Sequence, residues 1–226
     1  YNGSSDIVVS NFSVNGFTLE GSTYVGGNDD DGTNSIYMNY GDDFRGEIVV
    51  DGSGNCYIAS MTSSSNFPTS SAAYQSSLGG SQDGVTFKLN PSLSNLMFST
   101  YLGGNNDDAA YGVKVGNGVV YVAGSASSNF LGTGGAFGYN GGMDGFLVAI
   151  NQSGSSIQNK TYFGSSDDDQ AFFVEIDLNQ DVYILGQTEG VVSATSGKYN
   201  GGNGLFITKF NPSLTNRIYT TTTKEI

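Results

Sequence analysis

The chain has 226 residues, with 21 Asp and Glu against 8 Lys and Arg and a net charge of −13. So acidic a surface argues against nucleic acid and anionic membranes as partners, because both need a basic face, and no apolar run approaches the roughly 18 residues of a membrane span. Histidine is absent and Cys56 is the only cysteine, which removes Ser-His-Asp and Cys-His nucleophile pairs, His-ligated metals and an intrachain disulfide.

With 34 Gly, 3 Pro and abundant Ser, Thr and Asn, an all-β fold of short strands and tight turns is expected, and no helical period runs long enough to compete. Residues 6–12 read as a strand, Asn15-Gly16 as a turn and 17–25 as the hairpin partner. A loop follows, then a strand at 47–51, a turn at Gly52-Ser53-Gly54-Asn55 and a strand at 56–61. Strands at 85–89 and 96–101 flank Asn90-Pro91-Ser92, where proline presets φ for the turn. The same four-strand set returns at 113–115, 119–125, 145–151 and 157–163, and again at 174–176, 182–187, 205–211 and 218–222. Cys56 falls where the later copies have Val120 and Val182, so it reads as a small apolar core residue.

The spacing fixes the unit. Tyr101 to Tyr162 is 61 residues and Asp83 to Asp144 is 61, but Tyr24 to Tyr101 is 77. A repeat of about sixty residues therefore carries one loop insertion, at 28–40. Residues 1–25 make half a unit, and 26–102, 103–163 and 164–226 make three whole ones. Stretches such as Val119-Val120-Tyr121-Val122-Ala123 are apolar on both sides, so each four-stranded sheet needs neighbours stacked on both faces. Radial stacking gives a β-propeller of four-stranded antiparallel blades with about three and a half blades present, an incomplete ring; a linear stack is the other arrangement.

Thr100-Tyr101-Leu102-Gly103-Gly104 with Asp107-Asp108, Tyr111-Gly112-Val113, Val120-Tyr121-Val122-Ala123-Gly124, Asn66-Phe67-Pro68, Asp144-Gly145-Phe146 and Leu89-Asn90-Pro91 together resemble the SBBP-type β-propeller repeat. The resemblance covers nearly the whole chain. It implies a seven-bladed ring and a large secreted or cell-surface protein, of the kind exported by the type IX system in Bacteroidota, and it brings no catalytic residues. The third copy departs from it, with Ser165 for the second glycine, Asn203 at the Asp of Asp-Gly-Phe, and Thr220 to Thr223 after Tyr219, aligned here with Tyr101. Three and a half blades cannot close such a ring, so a longer chain or a partner chain is expected to supply the rest.

Acidic clusters recur at the entrance to each blade: Asp42-Asp43, Asp107-Asp108 and Asp167-Asp168-Asp169, with Asp29-Asp30-Asp31 assigned to the insertion. They fit two roles, capping of turn amides and Ca²⁺ ligation, for which Asp29, Asp30, Asp31, Asp107 and Asp108 are the candidates. No other cofactor is expected. Two carboxylates could also serve a glycosidase, but a chain without Trp lacks the sialidase-type Asp box. In the first strand of each unit Val49, Lys114 and Glu175 occupy one position, and Lys114 and Glu175 are expected to lie within about 8 Å, a screening length. Tyr37, Tyr40, Phe130 and Tyr139 fall in longer loops and are the candidate binding aromatics. The expected function is a non-catalytic scaffold or adhesion module making protein or glycan contacts. The alternatives are an assembly subunit completed by a partner at its open blade edges, and a glycan-active enzyme with catalytic loops elsewhere.

Overall fold

A computed structural model describes residues 2–37 and 43–224; Tyr40 and Asp42 lie outside the described residues. The strands are β1 (Ile7–Phe12), β2 (Leu19–Val25), β3 (Glu47–Val50), β4 (Cys56–Thr62), β5 (Asp83–Leu89), β6 (Leu96–Leu102), β7 (Asp108–Gly116), β8 (Val119–Ala126), β9 (Asp144–Asn151), β10 (Ile157–Phe163), β11 (Asp169–Ile176), β12 (Val182–Thr188), β13 (Asn200–Gly201), β14 (Gly204–Phe210) and β15 (Arg217–Lys224). They form a β1-β2 hairpin, antiparallel sheets β3-β4-β5-β6 and β7-β8-β9-β10, and a final sheet β11-β12-β14-β15 to which β13 adds in parallel. The architecture is all-β and blade-like, half a blade plus three, with no closed ring. No helix among the described residues is long and apolar enough to cross a membrane.

Strand register makes the copies comparable residue by residue. Tyr57, Tyr121 and Tyr183 face Lys88, Ala149 and Lys209 across the second and third strands. Asp31, Asp108 and Asp169 sit opposite Thr62, Ala126 and Thr188. Three assignments change as a result. Asp31 belongs to the repeat itself, and the extra loop begins after it rather than at Asn28. Gly204, not Asn203, occupies the position of Asp83 and Asp144. Thr222 faces Phe206 as Tyr101 faces Val85, so Tyr219 is not the equivalent of Tyr101. A run of four threonines alternates as regularly as the aromatic pattern it replaces, which hid the offset.

The core lies between the sheets. Phe98, Leu102, Val113, Val120 and Val148 fill the junction of the first two whole blades, and Tyr121, Leu147, Val174, Phe206 and Phe210 fill the next. Strands β5 and β9 are buried along almost their whole length, whereas β14 in the last sheet alternates between buried and open positions. This is the signature of sheets covered on both faces inside the stack and on one face at its end.

A tyrosine on the outer strand locks the long loop of the first two whole blades. Buried Tyr101 donates its hydroxyl to the Ser64 carbonyl at 2.7 Å and accepts from the Phe67 amide at 3.0 Å; Tyr162 makes the same pair with Ser128 (3.3 Å) and Leu131 (2.9 Å). Tyr162→Phe would strand a backbone amide away from water, so we expect it to cost about 1–3 kcal/mol, read as a lower denaturation midpoint at unchanged m-value.

Candidate functional site

Two carboxylates meet at each inter-blade junction. Asp108 and Asp169 open the first strand of their blades, Asp31 makes the equivalent pairing with Thr62 well ahead of β3, and Asp6, Asp83 and Asp144 precede or open the third strand of the preceding blade. A Cβ on Gly26 would lie within 2.6 Å of Asp31 Oδ2 and closer still to Asp6 Oδ1, and one on Gly164 stands in the same relation to Asp169 Oδ2 and Asp144 Oδ1. Asp31, Asp83, Asp108, Asp144 and Asp169 are all buried.

Their oxygens mostly cap turns. Asp108 accepts from the Gly104 and Ser127 amides at 2.7 and 3.0 Å, Asp83 from the Gly79 amide and the Gln75 side chain at 2.8 Å each, and Asp31 from the Gly27 amide at 2.7 Å as well as from Thr62 and Ser64. Asp169 accepts from both the amide and the hydroxyl of Ser165. Asp144 Oδ2 accepts from the Asn140 amide at 2.5 Å, while Asp144 Oδ1 and Asp169 Oδ1 are buried with no hydrogen-bond partner.

Burial pushes all five carboxyls up, and proximity of like charge adds to it. Asp108 rises to about 7 through burial and then repulsion from Asp83, against the pull of the Gly104 amide; Asp144 rises to about 7 through burial and Asp169. Asp31, Asp83 and Asp169 shift upward for the same reasons. Among the described residues no group of three or more His, Cys, Asp or Glu is gathered to hold a metal ion. Of the Ca²⁺ candidates, Asp31 and Asp108 are the turn caps just described, Asp29 Oδ1 accepts from the Asp30 amide at 3.1 Å, Asp30 accepts from Ser5, and Asp107 is half-buried at a neighbouring cleft.

That cleft, of about 290 Å³, brings Tyr37 and Asp107 together with Asp168 and Met143. Tyr37 is fully exposed, and buried Ile36 anchors the loop carrying it by packing on Met61, Ala109 and Tyr111. Gln82 ties the same loop down, accepting from the Ser35 amide at 2.6 Å and donating to Asn34 at 3.1 Å. Phe130 and Tyr139 are placed differently. Phe130 packs edge-on against Phe146 and Tyr162, and Tyr139 against Tyr162 with its hydroxyl on the Gly142 carbonyl, so both are half-buried packing residues. Tyr40 lies outside the described residues. Lys114 and Glu175 meet at 2.8 Å, as their shared position on adjacent innermost strands requires.

An opening of about 550 Å³ lies beside β1. Among the described residues β1 pairs only with β2, whereas the equivalent strands β5, β9 and β14 each have a neighbour on both sides. The unpaired edge of β1 forms one wall; Ile48, Ile58 and Ala59 form the floor, with Arg45 and Glu47 at the rim. Arg45 is held by its guanidinium over Phe172 and Phe173 at 4.5 and 4.6 Å, and Glu47 accepts from the Val113 amide at 2.8 Å. Neither Arg45 nor this groove carries a repeating signal in the sequence; the groove follows only from counting the partners of each third strand.

Compared with known proteins, the chain matches no family model and no curated protein is similar to it.

Proposed function

We propose that this chain is a non-catalytic β-propeller module of the SBBP type whose work is protein contact, made through the open face of its first hairpin. One comparison carries the reading. Val8 and Tyr24 are more than half exposed, while Val85 and Tyr101, at the same positions of the next blade, are fully buried by the hairpin packed on them. Contiguous apolar surface of this kind is where a further blade, from a longer chain or from a partner, would pack. The junction carboxylates, enclosed behind turn amides, support a structural use of acid. The family resemblance favours a place outside the cell, on a bacterial surface or in a secreted assembly.

The test is light scattering of the purified chain over a range of concentrations. The reading expects its mass to rise with concentration, and a Val8→Lys, Tyr24→Lys variant to stay monomeric. Monomers for both, or association unchanged by the variant, would overturn it.

A further inference from the structure

We propose that the cleft between Tyr37, Asp107 and Asp168 receives the side chain of a lysine from a partner protein. It shares no lining residue with the opening beside β1, so the inference does not rest on the contact proposed there.

The repeat itself brings the two carboxylates together. Asp107 and Asp168 directly precede the junction aspartates Asp108 and Asp169, 61 residues apart, and both line one cleft of about 290 Å³. Asp168 Oδ1 accepts from the Met143 amide at 2.9 Å. Asp107 makes no side-chain hydrogen bond or ion pair among the described residues. None of the chain's eight Lys and Arg lines the cleft, so no side chain of its walls neutralises either charge. Exposed Tyr37 adds an aromatic wall, and buried Ile36 and Met143 add apolar surface suited to the methylene stem of a lysine.

Elsewhere the chain shows what two carboxylates and a tyrosine ring hold. In the last blade Lys209 lies between Asp177 and Asp181, at 2.9 and 2.8 Å, with its ammonium 5.0 Å from the centre of the Tyr183 ring. In the first whole blade Lys88 stands against Asp51 and Tyr57, at 3.9 and 4.7 Å. In both places carboxylate and ring face act on one positive charge. The cleft offers the same groups, assembled from a loop and two blade junctions, without the lysine. A metal ion fits less well. Ca²⁺ takes six to eight oxygens, and among the described residues no third carboxylate is gathered here. The net charge of −13 also steers a basic segment towards the chain.

The probe is Nα-acetyl-lysine methylamide, titrated into the isotopically labelled whole chain and read by amide chemical shifts. Saturable shifts are expected at Asp107, Ser127, Gly142 and Met143, with affinity weakened at least fivefold by Asp107→Asn and by Tyr37→Ala. Tyr37 is exposed and Asp107 caps no turn among the described residues, so both variants should keep the parent spectrum away from the cleft. The Nε-acetylated probe, which keeps the stem and loses the charge, should not bind. The site is overturned by the absence of saturable shifts, by equal binding of the Nε-acetylated probe, or by affinity unchanged in both variants. Calcium chloride shifting these amides where the lysine probe does not would assign the carboxylates to a metal and overturn it as well.

Discussion

The folded chain should melt at a higher temperature at pH 5 than at pH 8, the reverse of what paired surface carboxylates would give. Asp108 and Asp144 have folded values near 7, against about 3.8 for an unperturbed Asp. Between those values the native state holds a proton that the unfolded state has lost. Each such group therefore lowers stability by about 1.4 kcal/mol per pH unit as pH rises from about 4 to 7. Asp31, Asp83 and Asp169, shifted the same way, add to the slope. Asp51 works oppositely: its burial penalty is outweighed by hydrogen bonds from Asn55, Ser53 and Tyr57, which hold it near 2, so its contribution is lost only below about pH 4. Stability should then peak near pH 4–5 and fall by several kcal/mol towards pH 8. Asp144→Asn should flatten the slope by about one proton and raise the melting temperature at pH 8. The amide would fill the partnerless Oδ1 position and can donate towards Asp169, removing one of two buried like charges. Thermal melts of both proteins at half-unit pH steps check this.

Gly124→Ser should be the most damaging of the mild substitutions. Gly124 faces Phe146 and Gly186 faces Phe206 across the second and third strands, while the first whole blade pairs Ser60 with Val85. A Cβ on Gly124 would fall on the Ala109 carbonyl oxygen and lie 2.6 Å from Phe146 Cε1. Glycine is thus what lets the ring lie flat over the strand, and serine is admitted only where the partner is the smaller valine. The substitution should cost about 3 kcal/mol or more, since overpacking a rigid backbone contact cannot relax locally. Phe146→Val alone should also destabilise, by leaving a cavity beside Phe130. In the double variant the two losses should not add, with a coupling of about 1–2 kcal/mol recovered. Strict additivity in urea titrations would show that the two residues do not share the space.

The repeat was legible because the inner copies spend the same side chains on the same physical tasks: a Tyr to lock a loop, an Asp to cap a turn, and apolar residues on both faces of a doubly covered sheet. What misled was degeneracy. Three consecutive aspartates at 29–31 offer several alignments, and only the pairing of Asp31 with Thr62 selects one. Thr220 to Thr223 alternate well in either register, so Tyr219 drew the alignment by three residues. The candidate aromatics divided on tertiary grounds. Phe130 and Tyr139 sit in loops that fold back onto Tyr162, whereas Tyr37 is exposed and follows a segment pinned by Gln82, just ahead of β5. The cleft joining Tyr37 to Asp107 and Asp168, and the groove beside β1, arise from how blades meet, which no local pattern encodes.

Hydrogen exchange tests most directly whether β1 is a blade strand lacking its neighbour. Strands β1 and β5 hold equivalent positions, but β5 is paired on both edges and β1 on one. In the isolated chain, amides over Val8 to Ser10 should exchange on average at least about a hundredfold faster than those over Val85 to Phe87, since edge strands open locally while core strands need global unfolding. Equal protection of the two stretches would contradict it, because that edge of β1 would then already be closed.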